Sequence, residues 1–102
     1  MQELSSFQAK YLRGLAHAFK PVVFVGQKGL TDALIKSAGQ AFLRHELIKV
    51  RFIDFKEKEQ KLELAAALAK KTGSRTAGMI GHIAIFYKPH SDPAKRKIVL
   101  PH

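Results

Sequence analysis

The chain contains no cysteine. That absence removes disulfide staples and thiolate metal or redox sites, and it makes a reducing cytoplasm the expected setting. Acids are scarce: 8 Asp and Glu stand against 18 Lys and Arg, giving a formal charge of +10 and a pI near 10.2. No apolar run reaches the length of a bilayer span, and the opening "MQELSSFQAK" lacks the basic-then-apolar build of a signal peptide. Membrane is therefore not an expected partner. Internal repeats, linkers and low-complexity tracts are also missing.

What is present suits one folded domain. A length of 102 residues supports a single core and is too short for two, and 46% hydrophobic with 25% charged residues is ordinary globular composition. The basic excess favours a polyanionic partner, because neutralising phosphates releases condensed counterions. From Lys10 to Arg51 there are eight basic residues and only two acids, Asp32 and Glu46. From Lys56 to Glu63 the signs alternate instead, as in a solvated helix start.

Ser5 and Gln8 predict a capping box opening a first helix, with Leu4 and Ala9 as its staple. Phe7, Tyr11, Leu12, Leu15 and Ala16 recur at helical spacing, with Lys10, Arg13 and His17 facing elsewhere. Gly14 within it suggests close packing. "VVFV" from Val22 to Val25 reads as a strand covered on both faces. Thr31 caps a second helix with Asp32 in its first turn, and Leu34, Ile35, Ala38, Ala41 and Phe42 form its apolar stripe.

Residues 47–53, "LIKVRFI", alternate, with Ile48, Val50 and Phe52 opposite Lys49 and Arg51. A third helix fits Lys58 to Thr72, with Leu62, Ala65, Ala66 and Ala69 as its stripe, Leu64 and Leu68 beside it, and Gly73 as its stop. "RTAGMI" and "HIAIFYK" form a hairpin joined at Gly81. The order α-β-α-β-α-β-β predicts a single compact α/β domain, with three helices packed on a four-stranded mixed sheet. Successive strands linked by helices are expected to pair in parallel. Residues 4–88 form the expected core and residues 89–102 a basic C-terminal tail.

Gly26-Gln27-Lys28-Gly29 follows the first strand and precedes a helix. Glycines there permit positive φ and close approach of another chain, while the nearby helix N-terminus and Lys28 favour an anion. The spacing is too short for a P-loop, and a dinucleotide fingerprint lacks its first glycine pair. A polymer backbone is the guest that remains. KH domains clamp single strands with such a loop, although theirs joins two helices. The aromatic RNA-recognition fold is a poor match, since "VRFIDF" lacks its glycines.

"LRGLAH", "KPVVFVGQKGLTDALI", "HELIKVRF", "TG" and "IGHIAIFYKP" together resemble the YhbY-like CRM family (chloroplast RNA splicing and ribosome maturation). The resemblance spans about Leu4 to Leu100. It implies an RNA-binding domain with a fold similar to the C-terminal domain of a bacterial translation initiation factor. It also implies a partner in precursors of the large ribosomal subunit, and no catalytic residues. The family's glycine loop falls on Gly26, Gln27, Lys28 and Gly29, its basic residue before the strand on Lys20, and its strand basics on Lys49 and Arg51. Tyr87-Lys88-Pro89 stands where the family usually has Tyr-Arg-Pro; Lys88 keeps the charge without the bidentate geometry. With Lys10 and Arg13, these residues form the expected RNA-binding set.

Other features carry plainer readings. His17, His45, His82, His90 and His102 show no metal-ligand spacing, and no serine sits in a nucleophile elbow. Asp54, Glu57 and Glu59 are interleaved with Lys56, Lys58 and Lys61, as in a solvated turn. Phe52 and Phe86 belong to the core by alternation, leaving Phe55 and Tyr87 as candidates to stack on bases. Lys95-Arg96-Lys97 is expected to be a flexible electrostatic extra. The expectation is a cytoplasmic, monomeric, non-enzymatic protein without cofactor or metal, binding ribosomal RNA during large-subunit assembly. The alternatives are a permanent small ribosomal protein and, from another class, a phosphate-ester enzyme using the glycine loop.

Overall fold

The structure, a computed structural model, describes residues 3–102. Helix α1 (Ser6–Ala16) opens on the expected capping box: the Gln8 N–H donates to Ser5 Oγ at 3.1 Å and the Ser5 N–H to Gln8 Oε1 at 3.0 Å. Strand β1 (Val23–Val25) and helix α2 (Asp32–Arg44) follow, with the Leu34 N–H bonded to Thr31 Oγ1 at 3.1 Å. Then come β2 (Leu47–Phe52), α3 (Lys58–Thr72), β3 (Arg75–Ile80) and β4 (Ile83–Tyr87). Gly73 ends α3 at φ +70°, and the Ser74 N–H reaches back to the Ala69 carbonyl at 2.9 Å. Only a residue tolerant of the left-handed region closes a helix this way without strain.

The sheet order is β1-β2-β4-β3. Strand β1 pairs parallel to β2, while β4 is antiparallel to both β2 and β3. Parallel pairing across each helical crossover therefore holds only for β1 and β2. The α3 crossover skips one position, and the hairpin strand β4 fills the gap, so β2 and β3 run in the same direction without touching. Alternation along the chain sets the faces of a strand and not its neighbours.

Two cores flank the sheet. On one face, Ala38 and Phe42 of α2 and Ala65 and Leu68 of α3 pack on Val23, Val25, Val50, Phe52, Ala84 and Phe86. On the other, Leu12 and Ala16 of α1 meet Leu47, Ala77, Ile85 and Tyr87, sealed by Leu4, Ile98 and Leu100. The second core corrects the reading of residues 89–102 as a trailing tail, because their apolar end closes a face that α1 is too short to cover. Gln8 Nε2 also donates to the Pro101 carbonyl at 3.0 Å.

Several stripes differ from expectation. Strand β1 lies at the sheet edge and is covered on one face, leaving Phe24 52% exposed and Val22 also open. Its exposed positions are apolar, which hides the alternation. In α3 the buried line is Lys61, Ala65, Leu68 and Thr72, and Leu62 is 43% exposed. Lys61 is buried because its ammonium lies 3.0 Å from the Gly81 carbonyl and 3.1 Å from His82 Nδ1, bolting the hairpin turn to the helix. In α1, Phe7, Tyr11 and Leu15 stay open while Leu12 and Ala16 are buried, and Gly14 faces open space rather than a close neighbour.

Candidate nucleic-acid interface

The glycine loop sits where β1 leaves the sheet. A turn closes between the Gly29 N–H and the Gly26 carbonyl at 3.0 Å, and it presents Gln27 and Lys28 to solvent. The N–H groups of Gln27 and Lys28 have no acceptor among the described residues. Two unbonded donors beside an exposed lysine make a local anion attractor. The α2 N-terminus lies three residues on, already partly neutralised by Asp32.

The two glycines have different tasks. Gly29 takes φ +69°, and a Cβ there would lie 3.8 Å from the Phe55 ring. Gly26 is not in the positive-φ region, and a Cβ on it would lie 3.8 Å from Asp54 Oδ2, an ordinary contact. Turn geometry therefore demands glycine at Gly29 only; at Gly26 it leaves the outer backbone bare.

The remaining expected residues fall into separate places. Arg51 is exposed and directly opposite Phe24, one strand in from the loop. Lys20 is exposed at the other end of β1. Lys49 is half-buried beneath it: its ammonium donates to the His17 and Phe19 carbonyls at 3.2 and 3.0 Å, holding the chain that leaves α1. Lys88 follows β4 at that same far end, its ammonium beside Gly73 at the C-terminus of α3.

Lys10 is exposed on α1. Arg13 was expected to face away from the packed side, but it turns inward. Its Nη1 donates to the Ala77 carbonyl at 2.7 Å, and a Cβ on Gly78 would come within 2.7 Å of its Cδ. Gly78 sits at a bulge in β3 with φ +148°, and the missing side chain makes the slot for the guanidinium. Arg13 thus locks α1 onto the sheet.

Neither candidate aromatic is open enough to stack on a base. Tyr87 is 4% exposed, and Phe55 is half-buried against Gly29. Burial first, then the charge of Glu46, pushes the Tyr87 phenol above its ordinary range. The open aromatics are Phe7 and Tyr11 on α1, Phe24 on the edge strand and Phe19, 45% exposed, before Lys20. An aromatic next to Lys-Pro, beyond the end of the helix, was the signal in the chain for Phe19.

Lys95-Arg96-Lys97 is docked rather than trailing. Glu46, only 8% exposed, accepts three backbone N–H groups: His90 at 3.0 Å, Lys97 at 2.6 Å and Ile98 at 3.0 Å. Burial alone would raise its pKa. The three donors and the nearby Arg96 outweigh that and hold the carboxyl below the usual range. Among the described residues no group of three or more His, Cys, Asp or Glu is placed to hold a metal. No helix of these residues is long and apolar enough to cross a membrane.

Fold and loop together define a small basic α/β domain carrying a glycine-bracketed cationic turn at one corner of its sheet. Residues 4–88 match the CRS1 / YhbY (CRM) domain, and the chain belongs to that family. An RNA-binding protein of Haemophilus influenzae is 37% identical over 101 residues, covering 99% of this chain and 98% of that protein. The Bacillus subtilis protein YqeI, named as a probable RNA-binding protein, is 35% identical over 98 residues, covering 96% and 99%. A Staphylococcus aureus protein solved in solution has the same fold, with a TM-score of 0.81 and 31% identity over 96% of this chain and 99% of that one.

Proposed function

We propose that this protein binds RNA without catalysing a reaction, and that it acts on ribosomal RNA in precursors of the large ribosomal subunit. The observation that carries the reading is the Gly26–Gly29 turn, where exposed Lys28 stands with two N–H groups that have no acceptor among the described residues, on a chain of charge +10. Membership of the CRM family, and relatives named for RNA binding, support RNA as the polyanion.

In this reading the bare backbone at Gly26 lets a phosphate approach the Gln27 and Lys28 N–H groups. Arg51, Lys20, Lys10 and Lys88 add longer-range attraction. Arg13 and Lys49 chiefly hold the frame, since their charged groups are bonded to protein carbonyls. The protein acts as a monomer in the cytoplasm and needs neither cofactor nor metal. A phosphate-ester enzyme would need a paired acid and base at the loop; Asp54 lines the groove beside it with no histidine among the lining residues, and Asp32 sits in the first turn of α2.

Sedimentation of cell extracts tests the ribosomal assignment. The protein should peak with large-subunit precursors and be depleted from translating ribosomes. Equal abundance in translating ribosomes would make it a permanent ribosomal protein. Absence from every ribosomal fraction would remove the assembly role.

A further inference from the structure

Far from the glycine loop, three segments meet around Phe19: the α1–β1 connection, the α2–β2 corner and the C-terminal segment. They enclose two adjoining cavities of about 210 and 280 Å³ that share Phe19, His45 and Leu47. Their apolar lining includes Val22, the buried Leu47 and Ile48, and the half-open Phe19 ring. The rim is cationic: Lys20, Arg44, Lys95 and Lys97 are all exposed. Glu46 is the one acid lining it, and both its oxygens already accept backbone N–H groups. An aromatic ring and aliphatic side chains under a rim of positive charge suit a flat aromatic base joined to a phosphate.

The cleft is also connected to the loop. A groove runs from Gly26 to Gly29 along the open edge of β1 to Val22 and Ser37. From Val22 and Ser37 it continues past Gln40 to Arg44 and His45, which wall the Phe19 cleft. The six Cα-to-Cα steps from Lys20 to Gly26 span about 20 Å if near-extended. Over that path the walls are neutral or basic until Asp54 at the loop. One strand fits such a groove; a duplex would meet the loop without entering the cleft.

We propose that the Phe19 cleft is a second RNA site, taking an unpaired nucleotide of a single strand whose backbone continues to the Gly26–Gly29 loop, with its base stacked on Phe19 and its phosphate among Arg44, Lys95 and Lys97. This rests on the RNA-binding reading and specifies the form of RNA. Docking of residues 89–102 by Glu46 then has a role in binding, because it carries Lys95 and Lys97 to the cleft.

The test compares Phe19→Tyr, Phe19→Leu and an Arg44→Ala/Lys95→Ala/Lys97→Ala variant with the wild type. The probes are an unstructured oligoribonucleotide of about ten nucleotides and the same sequence in a blunt duplex. Phe19→Tyr should bind the single strand like the wild type. Phe19→Leu, which keeps apolar volume without a ring, should lose about tenfold with an unchanged salt slope and an unchanged affinity for duplex. The triple variant should lower the log-log salt slope on the single strand by about 0.7 for each contact removed. Wild-type binding to RNA with Phe19→Leu equal to it on both probes would overturn the cleft and leave RNA binding standing. An equal loss on both probes would likewise overturn it, the ring then serving the fold. Wild type that binds neither probe, nor ribosomal RNA, would overturn both readings together.

Discussion

Glu46 is where the C-terminal segment is held, and replacing it should release that segment. Its carboxylate receives three N–H groups at 2.6 to 3.0 Å from residues 44 to 52 positions away in sequence. Each charge-assisted bond is worth about 1.5–3 kcal/mol in isolation, but bonds to one carboxylate are not additive. Glu46→Ala should cost about 3 kcal/mol, capped by whatever docking the segment contributes to the domain. At about 4–8 °C per kcal/mol for a domain of this size, melting should fall by roughly 12–24 °C.

Glu46→Gln keeps an oxygen for Lys97 and Ile98 but turns an amide N–H₂ toward the His90 N–H, and it should lose about half as much. Because the folded carboxyl titrates below its ordinary value of 4.5, the unfolded chain binds more protons in that range. The Glu46 contribution is therefore full above about pH 5 and is lost as the pH falls through the depressed folded value. Circular dichroism melting against pH reads the global cost, and hydrogen exchange at the Lys97 and Ile98 amides reads the latch itself. Wild-type melting and wild-type exchange in Glu46→Ala would refute the reasoning.

The two loop glycines should separate. Gly29→Ala forces a Cβ residue to φ +69° and should cost about 1–2 kcal/mol, lowering melting by several degrees; Gly26→Ala meets only an ordinary contact and should melt within a few degrees of wild type while binding RNA more weakly. Equal melting of the two would contradict the turn geometry. Lys49→Met should lose thermal stability through the freed His17 and Phe19 carbonyls, whereas Lys20→Met should leave melting unchanged and lower the RNA salt slope by about 0.7–0.9. The reverse pattern would mean that Lys49 contacts RNA directly.

Local rules were legible in the chain because they depend on neighbours only. The Ser5–Gln8 box, the Thr31 cap, the Gly73 stop, the Gly81 hairpin and the bounds of α3 are such features. What could not be read depends on which element lies across the core. The edge position of β1 follows from the β4 insertion, and the rotated α3 stripe from a hairpin carbonyl that takes the Lys61 ammonium.

Basic residues were legible as charge but not as free charge. Arg13 and Lys49 read in sequence like Lys20, yet a missing side chain at Gly78 and a bare helix end at His17 draw them inward. The cavity at Phe19 is not legible in the chain, because it forms only where segments 89–102 and 44–47 close around that ring.

Whether the Gly26–Gly29 turn meets RNA phosphates is decided by Gln27→Asp/Lys28→Asp. Both side chains are solvent-exposed, so the variant should fold and melt like the wild type. Two carboxylates in place of an amide and an ammonium would repel the phosphates. Its affinity for ribosomal RNA, measured at one fixed ionic strength beside the wild type, should fall by at least about tenfold. A folded variant that binds as tightly as the wild type would mean that the turn only connects a strand to a helix.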